Sequence, residues 1–208
     1  MIDQVTLITY VAIVTGFVFI PGPATVLTVA RATTSGTRVG LATGLGIAVG
    51  DIIHTALAVL GISAIILASA FLFSLIKYLG AAYLVYLGIK AIFEKAPAAV
   101  GKQPVRLTPG DAFRQGILAE VLNPKTAMFF LAFLPQFVKP ENGSVFLQLS
   151  TLGIIMVALG LTSTVIFALC AGRVGSFLRR NPTVVKWQGR VVGSIYCALG
   201  LRLALQER

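Results

Sequence analysis

The stretch QVTLITYVAIVTGFVFIPGPATVLTVA, Gln4 to Ala30, runs for 27 residues without a charge and carries one break, at Pro21-Gly22-Pro23. A helix that crosses a bilayer needs about 20 mostly apolar residues, so this stretch is long enough to span lipid. Its break matters as much as its length. Proline inside a helix removes a donor and clashes with the preceding turn. Two prolines around a glycine therefore leave carbonyls and amides without intrahelical partners. In lipid such groups persist only inside protein or beside a wet cavity.

Working outward, Asn142 to Gly172 has 31 residues without a charge, and Ile52 to Ile76 is interrupted only by His54. Three less uniform segments join them: about 75–94, flanked by Lys77 and Lys90; about 113–138, holding Glu120 and Lys125; and about 184–205, between Lys186 and Arg202. The predicted fold is an all-α membrane protein with six transmembrane helices, roughly 5–30, 39–66, 75–94, 113–138, 144–172 and 184–205. Composition agrees. Of 208 residues 57% are hydrophobic and 12% charged, and mean hydropathy is +0.91. Soluble domains are about a quarter charged, so an ordinary soluble enzyme and a disordered chain are both excluded.

The net charge of +10 does not call for a nucleic-acid partner, because the positive residues sit in short clusters between apolar runs. Three alternate loops hold Arg31 and Arg38; then Lys90, Lys95, Lys102, Arg106 and Arg114; then Arg173, Arg179, Arg180, Lys186 and Arg190. The opposite side holds Lys77, Lys139, Arg202 and Arg208. Twelve against four predicts those three loops in the cytoplasm and both termini outside. No cleavable signal peptide is expected, since the first apolar run is too long and lacks a basic start. Cys170 and Cys197 lie in apolar stretches without CxxC spacing and read as small core residues. A single histidine excludes any multi-His metal centre.

The two halves resemble each other. Helix 1 breaks at Pro21-Gly22-Pro23 after Gly16, and helix 4 at Asn123-Pro124-Lys125 after Gly116. Helix 3 contains Gly80-Ala-Ala-Tyr83 and helix 6 Gly193-Ser-Ile-Tyr196. The expected organisation is one three-helix repeat over 1–94, a cytoplasmic linker over 95–112 with three prolines, and a second repeat over 113–208. An odd number of spans per repeat inverts the second copy, the arrangement of secondary transporters that bind at broken helices near the midplane. Pro23 and Pro124 each suit the first turn of a new half-helix, with Gly22 and Asn123 as N-caps. Both half-helices would then aim a positive dipole end inward, toward an anion such as a carboxylate.

Four ionisable residues fall within the spans, where each is costly unless paired or hydrated. Asp51 lies about 18 Å along helix 2, near mid-depth, and His54 follows one turn on, on roughly the same face. Glu120 precedes the second break by one turn and Lys125 lies in it. One reading is a Lys125–carboxylate pair that locks helix packing. The other is a polar pocket in which Lys125 and the helix ends meet a carboxylate while Asp51 or Glu120 meets an ammonium group, which together describe a zwitterion. Asp51 is also the candidate for proton coupling, with His54 tuning or relaying. The glycines at 36, 40 and 44, at 46 and 50, and at 189 and 193 follow small-xxx-small spacing and read as helix contacts.

With these motifs in view, the chain resembles the LysE/RhtB family of bacterial amino-acid exporters. The resemblance is carried by Pro21-Gly22-Pro23, by Gly36, Gly40, Gly44 and Gly50-Asp51, by KYLGAAYLVYLG over 77–88 and by LNPKTAMFFLAFLPQF over 122–137. It implies a bacterial inner-membrane exporter driven by the proton gradient, often a homodimer, that needs no cofactor. It gives functional weight to Pro21, Gly22, Pro23, Asp51, Asn123, Pro124 and Lys125, whereas Glu120 and His54 are selected on physical grounds. The wider superfamily includes metal-ion transporters and two-cysteine electron carriers; the cysteines here are far from any proline break. A cation exporter using Asp51 and Glu120 is the leading rival, although two carboxylates make a poor cage and Lys125 would repel the ion. A remoter rival is an intramembrane enzyme with Ser163 as nucleophile and His54 as base, but no nucleophile elbow or HExxH pattern accompanies them.

Overall fold

The structure is a computed structural model that describes residues 2–19, 22–68, 70–93 and 107–173. Between 187 and 205 it also describes residues 187, 190, 191, 193, 194, 197, 198, 200, 201, 204 and 205. Among the described residues there is no strand. The first apolar stretch forms two helices, α1 over Gln4–Phe19 and α2 over Pro23–Ser35, bent by 46°. Asp3 starts α1 by accepting from the Thr6 amide at 2.9 Å and the Thr6 hydroxyl at 2.8 Å. α2 ends at Gly36, whose φ of 98° is a left-handed conformation that disfavours side chains. The chain then turns directly into α3, Thr37–Ala68, followed by α4, Ala70–Phe93. Gly36 is thus a turn residue rather than the helix-contact glycine its spacing suggested.

The second broken span begins with α5, Pro109–Val121, capped by Thr108, whose hydroxyl accepts from the Asp111 amide. After the break comes α6, Pro124–Met128, and the segment from Lys125 to Phe137 is bent by 48° from α5. The expected continuous α-helix does not persist here. It widens to a π turn over Phe129–Phe133 and tightens to a 3₁₀ turn over Leu134–Phe137. Pro135 explains the change, since it cannot donate to the carbonyl of Leu131 four residues back. A short 3₁₀ turn, Pro140–Asn142, leads to α7, Val145–Leu169, capped by Ser144. α3 and α7 are each long and apolar enough to cross a membrane, and each bent pair counted as one span brings the number to four. The predicted third span falls on α4, and the described residues between 187 and 205 are helical. Most of the predicted linker, residues 95–106, lies outside the described residues, as do Tyr196 and Gly189.

α3 is the central helix, packed along α5, α7 and α2. Its glycines allow this. A Cβ on Gly46 would strike the Phe113 carbonyl, and one on Gly116 would strike the Thr43 carbonyl, so α3 and α5 meet nearly backbone to backbone. A Cβ on Gly50 would lie 2.6 Å from the Glu120 Cβ, so the same contact sets Glu120 beside the turn that carries Asp51. Gly44 faces Thr164 of α7, and Gly88 of α4 faces Gly193 and Cys197. Between α1, the π and 3₁₀ turns and α7 lies an apolar cluster that includes Tyr10, Phe17, Phe129, Phe133, Phe137, Leu149 and Leu152. Tyr10 is fully buried, and its hydroxyl donates to the Leu152 carbonyl at 2.9 Å. At that end Lys139 pairs with Asp3 at 3.1 Å. The Thr6 amide and hydroxyl, then Lys139, hold the Asp3 carboxyl down to about 2, so it is ionised at any pH at which cells grow.

Candidate functional site

Both breaks are resolved by local chemistry. Gly22 is the N-cap of α2 and Pro23 its first-turn proline, and the Gly22 carbonyl accepts from Val26 at 2.8 Å. Asn123 caps α6 with its side-chain oxygen, which accepts from the Lys125 amide at 3.1 Å. Pro124 opens α6 and, lacking an N–H, leaves one fewer amide to satisfy. Pro21 lies outside the described residues.

The side chains around the second break form one network. The carboxylate of Glu120, on the last turn of α5, accepts from Asn123 Nδ2 at 3.3 Å through each oxygen and from the Thr126 hydroxyl. One carboxylate therefore ties together residues before, within and after the break. Asp51, on the facing turn of α3, lies within electrostatic range of the Glu120 carboxyl. Both residues are 3% exposed. Two carboxyl groups this deeply buried persist only with such partners.

Lys125 stands opposite. Its ammonium lies 4.1 Å above the Phe17 ring centroid and 3.1 Å from where a Gly22 Cβ would be. An ion pair closer than 4.0 Å joins Asp3 and Lys139, at the far end of α1. Lys125 remains within electrostatic range of Glu120 and Asp51. His54 is buried on α3, stacks on Phe130 with centroids 5.7 Å apart, and sets Nε2 3.0 Å from the Glu120 carbonyl oxygen. It touches the backbone of Glu120 from outside the pocket.

These groups line a cavity of about 50 Å³ between the two breaks. Gly22, Pro23, Asp51, Glu120, Asn123 and Lys125 all border it, so six of the predicted site residues converge there from α2, α3, α5 and α6. Four wall features escaped the sequence reading. Gly160 of α7 leaves room for Asp51, since a Cβ there would lie 3.2 Å from Asp51 Oδ2. Phe17 and Met156 supply apolar wall. Ser163, considered only as a nucleophile, instead donates to the Val18 carbonyl at 2.7 Å. Val18 lies four residues before Gly22, so the break at Pro21-Gly22-Pro23 deprives that carbonyl of its helical donor and Ser163 replaces it. With Ser163 held by Val18 and His54 facing the Glu120 carbonyl, the geometry contains no Ser–His pair. Cys170 and Cys197 are both free thiols.

The pocket between the two breaks has the Asp51 and Glu120 carboxyls on one side and the Lys125 ammonium on the other. The chain matches the LysE type translocator family over residues 15–207. It belongs to that family. An uncharacterized membrane protein of Vibrio cholerae is 31% identical over 90% of this chain and 91% of its own length. An uncharacterized membrane protein of Bacillus subtilis, YrhP, is 37% identical over 74% of this chain and 77% of its own. The leucine efflux protein of Salmonella typhimurium is 27% identical over 90% and 89%. No solved structure matches the chain.

Proposed function

We propose that this LysE-family protein is a secondary transporter that exports an amino acid from the bacterial cytoplasm in exchange for protons. The observation that carries the reading is the separation of charge in the cavity: the Lys125 ammonium near Gly22, and the Asp51 and Glu120 carboxyls on the α3–α5 side. A zwitterion matches both. Its carboxylate meets Lys125 and the positive N-terminal end of α2, while its ammonium meets the carboxyls. The leucine efflux proteins among its relatives support an amino acid as the cargo.

The two neighbouring carboxyls supply the coupling. Two buried carboxyl groups side by side favour holding one proton between them, and an arriving ammonium group displaces that proton electrostatically. Proton and substrate thus alternate on Asp51 and Glu120, with His54 adjusting the Glu120 turn. In this reading six spans form two inverted three-helix repeats, 1–94 and 113–208, joined by a cytoplasmic linker over 95–112. Both termini face outside, and the protein sits in the inner membrane, with a homodimer as its assembled form. The cavity's about 50 Å³ is room for a few waters at roughly 10–15 Å³ each. A benzene-sized ligand needs roughly 150 Å³, so loading requires one repeat to rock against the other.

The testing experiment is a screen of amino acids in the medium of cells that overproduce the protein. One or a few zwitterionic amino acids are expected to accumulate outside. A medium unchanged in every amino acid, combined with increased tolerance of a divalent cation, would instead establish the cation-exporter reading.

A further inference from the structure

The cavity has one wall with two neighbours. Phe17 borders the pocket on one face, where the Lys125 ammonium lies 4.1 Å from its centroid. On its other side it joins an unbroken aromatic column. Phe17 meets Phe129 at 4.7 Å between centroids, Phe129 meets Phe133 at 5.1 Å, Phe133 meets Phe137 at 5.1 Å, and Phe137 meets Tyr10 at 5.0 Å. Every ring in the column is buried. The column ends at Tyr10, roughly 10 Å along α1 from Phe17 at 1.5 Å per residue, and the Asp3–Lys139 pair lies about as far again beyond it. The column fills the space between α1, the π and 3₁₀ turns and α7 through which the pocket would communicate with the Asp3 end. Continuous packed rings exclude water, so that end is shut.

We propose that Phe17 is the residue through which an occupied pocket opens the path toward the Asp3 end, an inference that rests on the reading of Lys125 as the carboxylate's partner. The chemistry is a competition. The ammonium is held over the ring by its attraction to the π face. A carboxylate offers the same ammonium a charge-assisted hydrogen bond, which is stronger. When the substrate takes Lys125, Phe17 loses its cation–π contact on the pocket side. The ring can then turn, and the column loses its first member. An empty pocket keeps the path shut; a loaded one releases it. The column also runs along the π turn at Phe129–Phe133, a type of helical irregularity frequent at functional sites.

The test uses a reporter cysteine at the pocket, Thr25→Cys, in full-length protein carrying Cys170→Ser and Cys197→Ser, with a membrane-impermeant maleimide added on the Asp3 side. A separate Gln4→Cys variant identifies that side. With Phe17 present, saturating leucine is expected to raise the labelling rate about tenfold, the scale of one desolvated cation–π contact, and leucinamide is expected to leave it unchanged. In Phe17→Leu the raised rate is expected without leucine, while Phe17→Tyr, which keeps the π face, is expected to retain the leucine dependence. Should Phe17→Leu fail to insert, Phe17→Met, with a flexible side chain and no π face, carries the same expectation. A Phe17→Leu or Phe17→Met protein that still needs leucine for labelling would overturn the proposal. The two readings fail differently. If no amino acid changes labelling with Phe17 present, the amino-acid reading fails; if leucine raises labelling equally with and without the ring, only the role of Phe17 does.

Discussion

Asp51→Asn is expected to reduce proton-driven amino-acid transport in proteoliposomes to the background of empty vesicles, while the protein still inserts and stays folded. The substitution keeps the shape of the side chain, and its amide can donate to Glu120, so the buried polar pair remains satisfied. What it removes is the second carboxyl. With one acidic group left, the pocket no longer holds a proton between two carboxyls for the substrate to displace. The α3–α5 packing rests on Gly46, Gly50 and Gly116 and is untouched. The measurement is flux, under an imposed pH gradient, of the amino acid that the medium screen identifies, with size-exclusion behaviour in detergent as the check on folding. Native flux from Asp51→Asn would remove Asp51 from the coupling role.

Lys125→Ala carries the second large effect. Loss of one charge-assisted hydrogen bond is worth about 1.5–3 kcal/mol, which converts to roughly 10–150-fold in affinity. Binding of the transported amino acid is expected to weaken by that factor, whereas binding of its amide, which has no carboxylate, is expected to change little. Calorimetric titration of purified protein with both ligands makes the comparison. Equal losses for the two would show that Lys125 does not read the carboxylate. The Asn123 cap should survive the change, because it is made by the Lys125 backbone amide rather than the side chain.

Much of this site was legible in the sequence because its rules are local. Proline position alone marks both breaks, and Asn123 and Gly22 read as caps from their place before a proline. The expense of a charge in lipid singles out Asp51, Glu120 and Lys125. Small-xxx-small spacing anticipated the contact of Gly46 and Gly50 with α5, although the same rule misread Gly36, where the backbone turns. What was not legible depends on residues far apart in the chain. Ser163 supports Val18 across 145 positions, and neither residue has a local peculiarity that announces it. Gly160 looks like any glycine of a membrane helix until Asp51 is seen against it. Lys125 is the instructive case: its charge marked it, but its place over Phe17 depended on where α1 stops. The departure from α-helix after Met128 did have a signal, Pro135, whose effect reaches back to the carbonyl of Leu131.

The central claim is exchange of an amino acid for protons through a pocket shared by both. Its most direct test is purified protein in vesicles with an acid lumen, supplied outside at neutral pH with a labelled form of the amino acid that the medium screen identifies. Protons leaving down their gradient are expected to drive that amino acid inward until it exceeds its outside concentration, and a proton ionophore is expected to collapse that accumulation. An amino acid that merely equilibrates, indifferent to both the gradient and the ionophore, would contradict the claim.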